Sequence, residues 1–409
     1  MAGTVAAAAL LVHPQVSVGT NGNEPIGVSM ESRSRGGADV AVGDSALSQI
    51  ENPAALTLSP RGAYRLDFTG QLLMPDIHWR GPIDSADSEI NVMPHANLGL
   101  AFPVDEKLTW GLAFHSKSGL ATRYHMRHLR IRWMERRVYS DMKNGALVLN
   151  AAYELTEKLS VGAGVRGEIV TGEMSAVIGP ADVELGRGYA YGGGAQLGLH
   201  YKARDDLTFG LAYQSPSWFT DLEGGKAEMS LNGRRRYRLG EFRVDKYRLP
   251  QEISGGAAWD VTDWFKLIGE IRWLNYSNDA FRPGSVTTDG WVNLGLPLPA
   301  GYEDQWIFIL GSEFKLDEHW TLGLGYNYGT NPLPRENLFP VTSIITQHHL
   351  TAGLRYKRDN WWVGGGYILG LPASMSGNGR SNIPLGIDYG YSKVTQIQHS
   401  IFMGFGFSW

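Results

Sequence analysis

The chain has 409 residues, no Cys, 52 Gly, 11% aromatic residues and a net charge of −4. The lack of Cys excludes a disulfide scaffold, thiolate metal sites and cysteine catalysis. The mild charge gives no global nucleic-acid signal. The sequence has no run of about 18 apolar residues, so it predicts no transmembrane helix. Gly this frequent also weakens helices in general. High Gly and aromatic content with weak alternating segments is typical of a transmembrane β-barrel.

The N-terminus carries an eight-residue apolar run, Val5 to Val12, followed by the small residues Ser17 and Gly19. This pattern is typical of a secretory signal peptide over residues 1–19, cleaved between Ser17 and Thr20. The basic segment that usually precedes such a run is missing, which indicates a truncated start. The alternative is a stray apolar strand.

One pattern recurs six times: an aromatic residue, a short polar turn, and an apolar residue that opens an alternating run. The copies begin at Phe102, Tyr153, Tyr201, Trp259, Phe314 and Tyr356. Asp, Glu, Asn and Thr form tight turns between β-formers, so each copy predicts a hairpin turn. Six turns join twelve strands. A strand at about 62–73 and another at about 395–409 bring the predicted number to fourteen.

The runs after the turns alternate large apolar and small residues. Trp320, Leu322 and Leu324 share one face, whereas Gly323 and Gly325 lie on the other. Large residues that meet lipid and a small-residue inner wall fit a barrel whose lumen is filled. We therefore predict an all-β fold, a 14-stranded antiparallel transmembrane β-barrel over residues 62–409. A soluble solenoid or propeller would not alternate short turns so strictly with long polar connections, such as 119–142 and 172–187.

Residues 20–61 show no strand alternation, and their small, mixed residues predict a compact hatch that plugs the lumen. Asp44 to Gln49 is predicted to form a short helix capped by Asp44, which Asn52-Pro53 would end. The alternative is a disordered tail.

Several segments, taken in order, resemble the FadL/TodX family of outer-membrane transporters. The hatch signature is carried by Gly36, Gly37, Asn52, Pro53 and Ala54. Residues 119–124, 137–140, 270–273 and 322–326 resemble later segments of the family. The terminal Trp409 resembles the aromatic end that the barrel-assembly machinery reads.

The resemblance implies passive transport of long-chain fatty acids or of aromatic or aliphatic hydrocarbons across the outer membrane of a Gram-negative bacterium. Its expected steps are capture by loops, binding in the lumen, hatch movement and lateral exit at a kinked third strand. The lateral gate is expected where apolar alternation stops, at Ser116, Lys117, Ser118 and Gly119. The capture surface is expected to consist of Leu129, Ile131, Trp133, Trp218 and Phe219.

Arginines cluster with aromatic residues in one predicted extracellular loop. Lipopolysaccharide phosphates or a fatty-acid carboxylate are the expected contacts of Arg123, Arg127, Arg130 and Arg132. A nucleic-acid partner does not fit that location. No catalytic constellation, cofactor motif or metal site is predicted. Two other functions stay open at this point, a general diffusion porin and a surface-binding barrel. A porin would lack the N-terminal plug.

Overall fold

The computed structural model describes residues 21, 24–59, 62–245, 247–277, 285–290, 296–297, 301–342, 344–383 and 385–409. The predicted signal peptide lies outside these residues. Among the helices that are described, none is long and apolar enough to cross a membrane.

Most of the chain is extended. The strands are β1 Arg65–Arg80, β2 Ser85–Asp87, β3 Met93–Pro103, β4 Leu108–Met126, β5 Arg136–Thr156, β6 Leu159–Ile178, β7 Ala181–Arg204, β8 Leu207–Gln214, β9 Ser217–Phe219, β10 Leu222–Leu231, β11 Arg235–Val244, β12 Arg248–Leu249, β13 Gln251–Thr262, β14 Phe265–Asn275, β15 Ser285–Thr288, β16 Leu296–Pro297, β17 Gln305–Lys315, β18 Trp320–Gly329, β19 His348–Arg358, β20 Trp361–Ser376 and β21 Lys393–Ser408. The α-helices are α1 Met30–Ser34 and α2 Ile387–Gly390, and 3-10 helices span Ala46–Ile50, Pro53–Leu58, Leu129–Ile131, Arg335–Asn337 and Pro340–Thr342.

Fourteen strands form a closed antiparallel barrel, as predicted. They are β1, β3 to β8, β13, β14 and β17 to β21, each paired with the next. β1 also pairs with β21 along its whole length, from Arg65 with Ser408 to Arg80 with Lys393, and this ladder closes the wall. The other short strands lie in the connections at one end of the barrel.

All six repeats lie at short turns between wall strands, for example between β3 and β4 and between β19 and β20. The two ends of the barrel chain meet at the same rim. There the backbone N–H of Tyr64 donates to the Trp409 carbonyl at 2.9 Å, and the Trp409 N–H donates back at 3.0 Å. The turns were predictable because their signal is local.

The strands are longer than the sequence predicted. The expected connection 172–187 is mostly strand, since β6 ends at Ile178 and β7 begins at Ala181. The expected connection 119–142 likewise contains the ends of β4 and β5. The reason is that polar strand ends continue the hydrogen-bonded ladder beyond the apolar band, so alternation stops before the strand does.

Strand faces divide as predicted. Leu324 and Tyr326 point outwards and are exposed, whereas Asn327 between Tyr326 and Tyr328 points inwards and is buried. The small inner face lies against residues 24–59, which fill the barrel and are called the hatch below. A Cβ added at Gly198 would overlap the Asn52 side chain. Small residues therefore line the wall where the hatch touches it.

The hatch is built from capped short helices. Ser29 and Ser32 form a reciprocal capping box on α1. The predicted cap at Asp44 is wrong, because the helix starts at Ala46 with Ser45 as its N-cap. The Asp44 carboxylate pairs with Arg35 instead, at 2.9 Å. The Asp44 carboxylate therefore binds Arg35 instead of capping the helix. The local sequence does not predict this, because the pairing depends on tertiary structure.

Candidate functional site

The Asn52 side chain forms hydrogen bonds both within the hatch and with the barrel wall. Its Oδ1 accepts a hydrogen bond from Ala54 N at 3.0 Å, which caps the helix that begins at Pro53. Its Nδ2 donates to the carbonyls of Val40 at 2.7 Å and Leu199 at 3.1 Å. The Asn-Pro-Ala element thus folds the end of the hatch against β7 rather than simply ending a helix.

Gly36 and Gly37 form a second contact, on the opposite side of the lumen. Both have positive φ, of 76° and 99°, a region that favours glycine. The Gly36 N–H donates to Thr351 Oγ1 at 2.9 Å, and its carbonyl accepts from Asn327 Nδ2 at 2.9 Å. In this turn, the N–H and the carbonyl of Gly36 are therefore hydrogen-bonded to side chains of β19 and β18.

Buried ion pairs add to this anchoring. The Arg35 side chain is 0% exposed and contacts Asp39 at 2.9 Å, Asp44 at 2.9 Å and Glu313 of β17 at 2.7 Å. Burial alone would raise the pKa of Asp44, but Arg35 and Arg355 outweigh it and hold that pKa below its usual range. Burial raises the pKa of Asp39 to about 7 against the effect of Arg35.

A second ion-pair group joins the hatch to β14. Arg272 contacts Glu51 of the hatch at 2.6 Å and Glu270 of its own strand at 2.5 Å. The other oxygen of Glu270 accepts hydrogen bonds from the N–H groups of Asp39 at 2.8 Å and Val40 at 3.0 Å. The inward charges of Glu270 and Arg272 on an alternating strand were the available sequence signal for these contacts, and residues 270–273 were predicted only to resemble a segment of the family.

The wall is interrupted between β3 and β4. Their ladder runs from Pro103 with Thr109 to Asn97 with His115 and stops there. β3 continues on β1 to Met93, and β4 continues on β5 to Met126. The two strands on either side of the interruption therefore each pair with only one neighbour.

The interruption is bounded at both ends. At one end Ser116 N donates to Asn97 Oδ1 at 3.2 Å, and at the other Glu89 N donates to the Arg123 carbonyl at 2.8 Å. On the side of β3, the stretch of β4 from Ser116 to Thr122 is not part of a ladder. We call this stretch the wall window. At about 3.3 Å per residue it is roughly 20 Å long. The predicted gate residues, Ser116 to Gly119, all lie in it.

Lys117 is the extra residue of a register shift between Ser116 and Ser118. Its Nζ contacts Glu168 Oε1 at 3.2 Å and Ser217 Oγ at 3.1 Å. The same oxygen of Glu168 accepts from Ser217 Oγ at 2.6 Å and from Arg166 Nε at 3.2 Å. This buried network ties the bulge in β4 to β6 and β9. The position of Lys117 was predicted, whereas its partners were not.

Apolar side chains close the end of the lumen that lies opposite the short turns. We call this cluster the roof. It contains Trp79, Leu120, Tyr124, Ile131, Leu338, Phe339, Val341 and Tyr389, all buried. Ser140 Oγ donates to the Val341 carbonyl at 2.6 Å, so the connection between β18 and β19 crosses the lumen to reach β5. The roof lies against the inner face of the wall window.

The five predicted capture residues do not form one surface. Ile131 is buried in the roof, and Leu129 beside it is exposed. Trp218 is exposed on the face of β9 opposite to the buried Ser217, so it points away from the lumen. Phe219 packs on Tyr247. The outward position of Trp218 follows from the pairing of β9 with β7, which the sequence did not reveal.

Trp133 lines an outer cleft, which it shares with Leu231, Asn232, Arg234, Arg235 and Tyr237. The lining of the cleft combines apolar and aromatic side chains with the two arginines. Of the arginines predicted to contact lipopolysaccharide or a carboxylate, Arg127, Arg130 and Arg132 are exposed and Arg123 is half-buried. No ion pair of these four is present among the described residues.

The family model described as outer membrane protein transport protein (OMPP1/FadL/TodX) matches residues 28–360. The chain belongs to this family. It is therefore a transport protein of the outer membrane of a Gram-negative bacterium. A search of curated proteins finds no match.

Solved structures share the fold at low sequence identity. The toluene transporter TodX of P. putida has a TM-score of 0.81 and 18% identity, covering 94% of this chain and 99% of that one. The toluene transporter TbuX of Ralstonia pickettii has a TM-score of 0.77 and 19% identity, covering 93% and 98%. A FadL homologue of Pseudomonas aeruginosa has a TM-score of 0.77 and 14% identity, covering 94% and 99%.

Proposed function

We propose that this member of the family carries hydrophobic molecules, either long-chain fatty acids or hydrocarbons, from the cell surface into the outer membrane by lateral exit and without chemistry. The chain catalyses no reaction in this proposal. Solved structures with the same fold include proteins described as toluene transporters. The plugged lumen disfavours a general diffusion porin, because the hatch occupies the space that a water-filled channel needs.

The observation that carries the proposal is the wall window. A hydrophobic molecule gains nothing from a polar axial passage, but an opening between β3 and β4 leads sideways into the membrane. We infer that substrate enters at the outer cleft around Trp133, passes the roof, and leaves through the window at Ser116 to Gly119. Movement of the roof and the hatch opens this path.

Burial energy alone is sufficient for capture. Removing about 200 Å² of apolar area from water, at about 25 cal/mol per Å², gives roughly 5 kcal/mol. That corresponds to a dissociation constant of roughly 0.2 mM, so a concentration gradient can drive the transfer.

Uptake in a host strain without its own transporter of this family tests the proposal. Expression of the chain should raise the uptake rates of labelled toluene or oleate several-fold and leave the uptake of a hydrophilic sugar unchanged. Equal stimulation of the sugar would instead support a porin. Surface binding without uptake of either apolar molecule would support a surface-binding barrel.

Two partners belong to the same proposal. Exposed Arg127, Arg130 and Arg132 contact lipopolysaccharide phosphates, since guanidinium groups bind phosphate in a forked geometry. Replacing all three by Gln should lower the amount of lipopolysaccharide that co-purifies.

Trp409 is read by the barrel-assembly machinery, so Trp409→Ala should lower assembly in cells while refolding in detergent is kept. Loss of both to the same degree would contradict this role.

A further inference from the structure

A short segment of the connection between β1 and β3 lies across the wall window, at the end away from the short turns. It comprises residues 84–90 and contains β2, and we call it the strap. Closer to the short turns, β3 lies between β1 and β4. Beyond Met93, where β3 no longer follows these two strands, the strap contacts both of them instead. The strap therefore takes the place of β3 at this end of the gap.

On the side of β1 the strap is held by regular strand pairing. The three residues of β2 pair antiparallel with the end of β1. The Ser88 N–H continues this pairing and donates to the Ile77 carbonyl at 2.8 Å. His78 Nδ1 also contacts Asp87 Oδ1 at 2.6 Å. Because the pairing uses backbone groups, substitution of a side chain does not remove this attachment.

On the side of β4 the strap binds largely through its side chains. Asp84 Oδ2 accepts a hydrogen bond at 2.7 Å from the N–H of Arg127, the residue after β4. Ser88 Oγ accepts a hydrogen bond at 3.3 Å from the Arg123 N–H. A single substitution at Asp84 or Ser88 therefore removes one of these bonds and keeps the pairing with β1.

Glu89 adds a backbone and a side-chain contact to the same strand. Its N–H donates to the Arg123 carbonyl at 2.8 Å, and its Oε1 lies 2.7 Å from His125 Nδ1. Both side chains of the second contact are 47% exposed, so this contact holds the strap only weakly. The attachment to β4 is thus weaker than the attachment to β1, and it is the side on which the strap opens first.

The strap also covers the roof. Successive side chains of an extended segment point to opposite faces. Ala86 and Ile90 point inwards and pack against the apolar cluster that contains the roof, whereas Asp87 and Glu89 are exposed. Separation of the strap from β4 would therefore open the window and uncover the roof beside it.

We propose that the strap is a tie across the wall window that limits the size of the molecules that leave through it. Asp84 and Ser88 are its positioning residues. The inference rests on the proposed function, because it concerns the same lateral exit. Release of the strap frees one edge of β4 from Arg123 to Met126, which lengthens the opening by about 13 Å. The other edge of β4 stays paired with β5, so the wall is kept.

Uptake of a small and of a bulky hydrocarbon, toluene and the four-ring pyrene, tests this tie in cells with equal amounts of folded barrel. Asp84→Ala should raise the ratio of pyrene to toluene uptake by roughly 10-fold, the population change expected from the loss of one hydrogen bond to a charged group. Ser88→Ala should change the ratio in the same direction. Asp84→Asn keeps an acceptor oxygen and should retain most of the wild-type ratio. Asp87→Ala is the matched control, because Asp87 lies on the same strap but contacts His78 of β1, and it should behave as the wild type.

A cross-link between the strap and β4 gives a second measurement, in the opposite direction. The chain has no Cys, so Glu89→Cys with His125→Cys introduces two thiols that a cleavable bifunctional thiol reagent can join. When these changes are added to Asp84→Ala, cross-linking should return the uptake ratio to the wild-type value. Cleavage of the reagent should raise the ratio again.

The outcomes separate the tie from the transport proposal. An unchanged ratio in Asp84→Ala, or a ratio that stays raised after cross-linking, would overturn the tie and leave the transport proposal intact. An equal rise in the uptake of a hydrophilic sugar would indicate a general leak through the barrel and would also overturn the tie. Absence of toluene uptake by the wild type would count against the proposed function itself.

Discussion

Replacement of Arg35 by Met should release the hatch from the barrel wall. The fully buried guanidinium contacts Asp39, Asp44 and Glu313, and the variant would leave these carboxylates without it. Removing one partner of a buried ion pair costs about 3–5 kcal/mol. The cost is moderated in two ways, because Arg355 still lies 3.5 Å from Asp44 and Asp39 can take up a proton. We therefore expect a loss of about 3 kcal/mol in hatch anchoring at pH 8.

Planar-bilayer conductance measures this release directly. The wild type should conduct few ions because the hatch fills the lumen, and Arg35→Met should open frequent, larger conductance steps. Adding Glu313→Gln to the variant should restore part of the closure, since it removes one of the unpaired carboxylates.

Arg358→Met is the matched control, because Arg358 is 63% exposed and its nearest carboxylate lies 3.8 Å away. It should behave as the wild type. If Arg35→Met keeps both the low conductance and the melting temperature of the wild type, the ion pairs do not hold the hatch and this reasoning fails.

Two further predictions concern the hatch. Asn52→Ala should lower the free energy of unfolding by about 1–2 kcal/mol through the lost helix cap and the lost bond to Leu199, as measured by urea titration. The exposed Asn360→Ala is its control, and an equal loss there would contradict the assignment. Burial raises the pKa of Glu31 from 4.5 to about 7. At Glu31 the folded state therefore binds more protons than the unfolded chain, so the stability that this group contributes is greatest below pH 4.5 and is lost as pH rises to about 7. Melting temperatures from pH 5 to 8 test this, and Glu31→Gln should flatten the profile.

The periodic parts of the fold were predictable because their signals are local. Each turn repeat carries its own polar residues and flanking β-formers, and inward and outward faces follow from period-two alternation. The extracellular extents of β4 to β7 were not predictable, since these strand ends are held by ladder hydrogen bonds between polar residues. Nothing in the residues 172–187 distinguishes a polar strand end from a loop.

The parts of the site that depend on local backbone features were predictable from the sequence. The parts that depend on contacts between distant segments were not. Asn52, Gly36 and the window residues lie where the sequence suggested, because caps, turns and breaks in alternation are local features. The roof joins residues from separate connections, so the sequence could not show that Ile131 is buried with Val341.

Obstruction of the wall window tests the central claim most directly. Adjacent strand residues point to opposite faces, so Ser118→Phe and Gly119→Phe place a ring at its two mouths. Gly167→Phe is the matched control, since a Cβ added there would meet no atom within 4 Å.

The measurement is the initial rate of toluene or oleate uptake in cells that contain equal amounts of folded barrel. Lateral exit predicts that at least one window variant loses most of the uptake, by roughly 10-fold or more, while Gly167→Phe transports as the wild type does. Wild-type uptake by both window variants would contradict the account, because substrate would then leave by another route.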